Sequence, residues 1–313
     1  MKLSVILPNC MEVAAITQPW EKSMSGREIA SVARLADDLG FQSAFVSEHF
    51  FFPRAHVALS GEHALHATTA LGFIAGATDR IRLGSLITIL PLQHPVVAAK
   101  SWATLDWMSG GRAIAGIGVG WLRDEFDVIG VPFTQRGRRT DEYLEAIGEL
   151  WSSEDPSYAG DFVSFRDIAF APKPIQQPRI PLWFGGDSRP ALRRVARFGD
   201  GWCPMMTPPE KIPHRLAHIA SQPEWVERPL DVFFTDAWTN IGEAHAVLDN
   251  PLARGSTNAQ QIIDRCGYLA ELGVTETWIA PPPLSGLEAY LDHLRWVAAE
   301  IMPACSDGAL AAR

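Results

Sequence analysis

Eight times along this chain, an apolar run of strand length is followed by a stretch with apolar residues at helical spacing. Few architectures accept so strict an alternation, because each helix must return over the sheet face before the next parallel strand begins. The strands are read at Lys2 to Pro8, Phe41 to Ser47, Ile81 to Thr88, Ala113 to Ile117, Leu182 to Phe184, Gly201 to Cys203, Leu230 to Thr235 and Thr275 to Ala280. The helices are read at Ser25 to Leu39, Glu62 to Ala77, Pro95 to Met108, Arg138 to Trp151, a short one ending at Phe198, 209–220, Ala259 to Leu272 and Leu287 to Ile301. Residues 158–171 alternate apolar and polar side chains, which predicts a small β-hairpin inserted before strand five. A doubly wound open sheet competes, but it wants GxGxxG after the first strand and none is there. The expected fold is therefore α/β, a (β/α)8 TIM barrel forming one domain over residues 1–302, with a flexible tail over 303–313.

Composition removes several function classes. Net charge is −9 with no long basic cluster, which argues against nucleic acid and anionic membranes as partners. The four cysteines (Cys10, Cys203, Cys266, Cys305) are far apart and form no CxxC pair, so no zinc site or disulfide framework is expected. No basic segment leads into an apolar run at the N-terminus, and no run reaches membrane-spanning length. A cytoplasmic setting is the expectation.

In such a barrel, chemistry gathers at the carboxyl ends of the strands. That rule selects Asn9, Glu48, His49, Thr88, Gly120, Trp121, the Gly185–Ser188 turn, Met205, Asp236 and Pro281. A His-x-His pair for a catalytic metal is missing after strand one, and no strand-end lysine offers a Schiff base. Only Glu48 and Asp236 could serve as the facing carboxylates of a glycosidase. No metal is expected. The turn at Gly185, Gly186, Asp187 and Ser188 reads either as a tight βα connection or as an anion site, since glycines admit close approach and a helix N-terminus carries partial positive charge. Asp187 would repel a phosphate unless its carboxylate points away. Arg189, Arg193 and Arg194 could offset that charge, although Arg193 and Arg194 also fit a solvated helix face. His63 and His66 fall on a predicted helix without a third ligand, and His214, His218, His245 and His293 read as surface residues. His56 and Phe50, Phe51 and Phe52 are candidates to line a substrate pocket with Asn9.

These residues carry a resemblance. Val46-Ser47-Glu48-His49-Phe50, Leu83-Gly84-Ser85-Leu86-Ile87-Thr88 with His94-Pro95, Ser109-Gly110-Gly111-Arg112, Gly116-Ile117-Gly118-Val119-Gly120-Trp121, and Gly185-Gly186 with Arg197-Phe198-Gly199-Asp200-Gly201-Trp202 stand in this order. Together they resemble the bacterial luciferase-like superfamily of flavin- and deazaflavin-dependent oxidoreductases. Gly-Val-Gly-Trp followed by Leu122-Arg123-Asp124-Glu125-Phe126 is most similar to the branch that depends on coenzyme F420, a 5-deazaflavin.

The resemblance implies that His49 moves protons during hydride transfer, a task suited to imidazole; a packed strand-end histidine is the alternative. It implies a bulge with a cis peptide at Leu86–Ile87, or at Ser85–Leu86 if the register slips. Leu86, Ile87, Thr88, Gly118 and Gly120 would then lie against the ring, the glycines otherwise serving helix–strand packing. Asp124 would meet the cofactor side chain or cap the next turn, and Gly185, Gly186, Asp187 and Ser188 would hold its phosphate. Trp121 stands where some sugar-phosphate dehydrogenases of the family carry a glutamate acid, which implies an apolar or aromatic substrate instead. An FMN-dependent monooxygenase and a non-catalytic flavin-binding protein are the rival readings. A homodimer is expected, with residues 64–77 as candidate interface.

Overall fold

A computed structural model describes residues 1–13, 16–235 and 256–305. Eight parallel strand positions close into a ring: β1 (Lys2–Ile6), β2 (Ser43–Val46), β3 (Arg82–Ser85) continued by β4 (Thr88–Ile89), β5 (Ala113–Gly118), β8 (Leu182–Gly185), β9 (Gly201–Cys203), β10 (Asp231–Thr235) and β11 (Glu276–Trp278). β11 pairs with β1, so no barrel edge is left open. Between β5 and β8 lie β6 (Tyr158–Ala159) and β7 (Ser164–Phe165), an antiparallel pair outside the barrel sheet, as the alternation in 158–171 predicts. The helices are α1 (Gly26–Leu39), α2 (Val57–Ser60), α3 (Ala67–Ala75), α4 (Pro95–Ser109), α5 (Arg123–Ile129), α6 (Arg136–Ser152), α7 (Arg189–Phe198), α8 (Ile212–Ala220), α9 (Ala259–Glu271), α10 (Leu287–Trp296) and α11 (Met302–Cys305). The (β/α)8 expectation is met.

Local chemistry sets the helix ends. Ser25 and Glu28 form a reciprocal capping box on α1, and Gly40 closes it in the left-handed region at φ 87°. Inside the barrel, Phe45, Ile114, Trp183, Cys203 and Phe233 pack as one layer, with Phe45 and Phe233 ring centres 4.7 Å apart. Burying each of these large rings contributes on the order of 2–3 kcal/mol.

Several expectations need correction. The helix predicted from Glu62 starts only at Ala67. Residues before it run extended against the end of β1, with Glu12 N–H donating to the His63 carbonyl (2.7 Å) and Leu65 N–H to the Cys10 carbonyl (2.9 Å). Backbone groups spent on that bridge cannot enter a helix, so His63 and His66 do not share one. α2 and α5 are additional to the eight helices expected. Helix continues through Cys305, which is fully buried and whose carbonyl accepts the Met1 amine at 2.8 Å; the tail boundary at 303 is therefore early. Asp236, His245 and the polar loop after strand seven lie outside the described residues.

His293 is not a surface residue. It is 8% exposed between Tyr290 and Trp296 on α10. Burial lowers its pKa to about 4. The folded chain then binds this proton less readily than the unfolded chain, whose imidazole titrates near 6.5. The neutral ring's full contribution stands above about pH 6.5 and fades as pH falls toward about 4, by roughly 3 kcal/mol. In urea melts the parent should therefore lose about 2–3 kcal/mol relative to His293→Leu on going from pH 7 to pH 4.5. A constant difference would remove the assignment.

Candidate active site

The third barrel position is split by one extra residue. Gly84 pairs with Ile114 and Thr88 with Ile117, so three residues on one side (85–87) face two on the other (115–116). This is a β-bulge, and it holds the cis peptide Leu86–Ile87. A methyl on Gly116 would overlap the Ser85 carbonyl oxygen, so only glycine lets β5 pass the bulge. Leu86 packs down onto the Phe45–Trp183–Phe233 layer. The Ile87 side chain lies between Gly118 and Gly185; a methyl on Gly118 would overlap it, and one on Gly185 would sit 2.5 Å from its Cδ1. Gly120, at φ 76°, makes room for Ile89 and Phe126. The space opposite Gly118 and Gly120 is thus filled by the protein itself, which corrects their reading as a bare floor for a ring. Thr88 is also turned inward: it is fully buried and its hydroxyl donates to Ser85 Oγ at 3.1 Å.

His49 follows β2 by three residues and is 8% exposed. Its Nδ1 lies 3.0 Å from Glu125 Oε2, and the other carboxylate oxygen accepts the Phe50 N–H at 2.7 Å. Phe52 leans on the imidazole at 4.8 Å between ring centres, and Trp121 meets it edge-on at 5.6 Å. His56 approaches Trp121 at 6.1 Å. Phe50 and Trp121 are each 37% exposed, and Phe51 and Phe52 are half-buried, so the wall beside His49 is aromatic.

Asp124 does not join this group; it points outward from the first turn of α5 while its neighbour Glu125 is fully buried. The signal was available. Leu122, Glu125 and Phe126 are spaced i, i+3, i+4, so a helix here puts Glu125 on its packed face.

Glu48 faces away from His49. Its carboxylate accepts N–H groups of Ala67 (3.0 Å) and Ile89 (3.2 Å) and the Gln93 amide (3.1 Å), while burial pushes its pKa above the usual range. It is a staple joining β2, α3 and β4. Asn9 is buried at the end of β1, with its amide donating to the Met24 carbonyl at 3.2 Å. That contact turns its side chain toward α1.

At the end of β8, Gly186 adopts φ 111° and donates its N–H to the Cys203 carbonyl at 3.1 Å. That donor is spent within the fold, which corrects its reading as a ligand contact. Asp187 turns its carboxylate to the Met205 and Met206 N–H groups (2.9 and 2.7 Å) and to the Thr207 hydroxyl, clear of the turn. Ser188 caps α7 through Ala191 N–H at 3.3 Å. Arg194 is buried and paired with Asp141 at 2.6 Å, contrary to the solvated face expected, whereas Arg189 and Arg193 are exposed. Among the described residues no group of three or more His, Cys, Asp or Glu is arranged to hold a metal, and no helix is long and apolar enough to cross a membrane.

A closed barrel with a bulged third strand, an imidazole at its carboxyl-end mouth and a glycine turn before α7 matches the class of luciferase-like barrel oxidoreductases. The chain belongs to this family: residues 1–237 match the profile described as Luciferase-like monooxygenase. It is 32% identical over 281 residues to an uncharacterized protein of Mycobacterium tuberculosis, covering 85% of this chain and 92% of that one. An FMNH(2)-dependent dimethylsulfone monooxygenase of Pseudomonas putida is 32% identical over 173 residues, covering 54% of this chain and 46% of its own length. An F420-dependent glucose-6-phosphate dehydrogenase of Microbacterium testaceum is 32% identical over 179 residues, covering 56% and 51%. Deazaflavin and flavin users thus both stand among its relatives.

Proposed function

We propose that this chain is a two-electron oxidoreductase that binds coenzyme F420 and acts on an apolar or aromatic small molecule. The observation that carries the reading is the grouping at one barrel end of a carboxylate-held imidazole, an aromatic wall and the turn before α7. The bound deazaflavin would supply a carbon that accepts or donates hydride. Within this reading the N–H groups of Asp187 and Ser188 would hold its phosphate, with the Asp187 carboxylate directed elsewhere. Phe50, Phe52 and Trp121 would exclude water and orient the substrate, and His49 would hold or release the proton. Trp121 in place of an acid favours a substrate without a charged group at that position. FMN remains the competing cofactor, because the FMNH(2)-dependent relative matches as well as the F420-dependent one.

Titrating the apoprotein with F420 and with FMN, followed by fluorescence quenching, separates the two. The expected result is tighter binding of F420. Tighter FMN binding together with oxygen uptake would replace this reading with a monooxygenase, and binding of either without turnover of any carbonyl or alcohol would favour a carrier.

A further inference from the structure

The contact between His49 and Glu125 fixes more than a position. Glu125 is fully buried, and both of its oxygens are engaged by residues of one loop: Oε1 by the Phe50 N–H and Oε2 by His49 Nδ1. An N–H can only donate, so Oε1 is committed as an acceptor. An ionised carboxylate has no hydrogen to offer, so the hydrogen between Oε2 and Nδ1 must come from the imidazole.

We infer that Glu125 is a positioning residue that keeps the proton of neutral His49 on Nδ1 and leaves Nε2 as the atom that takes and returns a proton. The inference rests on the redox reading above for what Nε2 does, and on the contact geometry together with an ionised Glu125 for where the hydrogen sits. When Nε2 removes a proton from a substrate hydroxyl, the O–H bond breaks, an Nε2–H bond forms, and the imidazolium's charge faces a buried carboxylate. In the reverse direction the same proton returns to the substrate oxygen. A carboxylate held from behind by a backbone N–H cannot swing away, so the ring stays aimed through both halves of the cycle. The other titratable groups near the imidazole are His56, across Trp121, and Glu48, the preceding residue, whose carboxylate is occupied by Ala67, Ile89 and Gln93.

The test is Glu125→Gln. Its amide oxygen must still accept from Phe50, so its NH2 group meets Nδ1 and donates, which moves the ring proton to Nε2. Nitrogen-15 NMR of histidine-labelled protein without cofactor should find Nδ1–H at His49 in the parent and Nε2–H in the variant. With cofactor bound, kcat should fall by about 10²-fold or more while KM and cofactor Kd stay within about threefold. The pH–rate limb belonging to His49 should shift, and Glu125→Asp should recover about tenfold or more over Gln. A parent ring protonated on Nε2, an unchanged tautomer in the variant, or a lowered Tm with unchanged kcat would each overturn the inference. If Glu125→Gln does not fold, the parent spectrum still decides. The expected tautomer without turnover on either cofactor would sink the redox reading instead.

Discussion

Replacing His49 with alanine should lower turnover by about 10² to 10⁴-fold, the range expected for loss of a general acid–base group, while F420 affinity changes little. The imidazole lies apart from the turn read as the phosphate site, so losing it removes no donor there. Alanine, however, also strips the buried Glu125 carboxylate of its imidazole partner at 3.0 Å. Leaving a buried charge without its partner costs on the order of 3–5 kcal/mol, so His49→Ala should melt earlier as well. His49→Gln separates the two effects, because its amide can still donate to Glu125 but cannot shuttle a proton. The expected pattern is a Tm near that of the parent for His49→Gln with turnover as poor as in alanine. Stopped-flow reduction of bound F420 and a thermal melt are sufficient measurements. Parent-like turnover in the glutamine variant would take His49 out of the chemistry.

The largest structural effect should come from Gly116→Ala. The added methyl overlaps the carbonyl oxygen of Ser85, a backbone atom inside the bulge rather than the movable end of a side chain. Ser85 Oγ also donates to the Gly116 carbonyl at 2.8 Å, so the two strands cannot part without breaking that bond. A loss of about 3–5 kcal/mol in urea unfolding is expected, at the upper end for a single added methyl. Gly148→Ala is the control. It sits on α6 with open space around its missing side chain and should gain a few tenths to about 1 kcal/mol from helix propensity. If Gly116→Ala lost less than about 1 kcal/mol, the bulge would have to be far more pliable than its contacts indicate.

The barrel was legible because strand and helix periods alternate without interruption, and the resemblance marked the bulge through Leu86–Ile87. The site was legible in part. His49 could be picked from its place after strand two, and the spacing of Glu125 with Leu122 and Phe126 could have singled it out over Asp124. Gly118 and Gly120 were expected either against the ring or in packing, and they answer to Ile87, Ile89 and Phe126, as Gly116 answers to Ser85. Sequence spacing does not report such contacts between strands. Two motifs that carried the resemblance are architectural. Arg112 donates to the carbonyls of Ala75, Thr78, Ile81 and Ser109, closing the end of α3. Asp200 pairs with Arg179 and accepts the Leu182 N–H at 2.8 Å. His293 was misread although Tyr290 and Trp296 stand three residues to either side of it on the predicted helix, a spacing that puts all three on one face.

The Glu48–His49 step divides labour between neighbours: one carboxylate is occupied by three donors, and the next side chain meets Glu125 and the aromatic wall. An engineer seeking a new substrate scope should therefore treat these two positions as a fixed chassis. Diversity belongs in the segment from Phe50 to Phe52 and at Trp121, where side chains line the opening without holding any barrel strand in register.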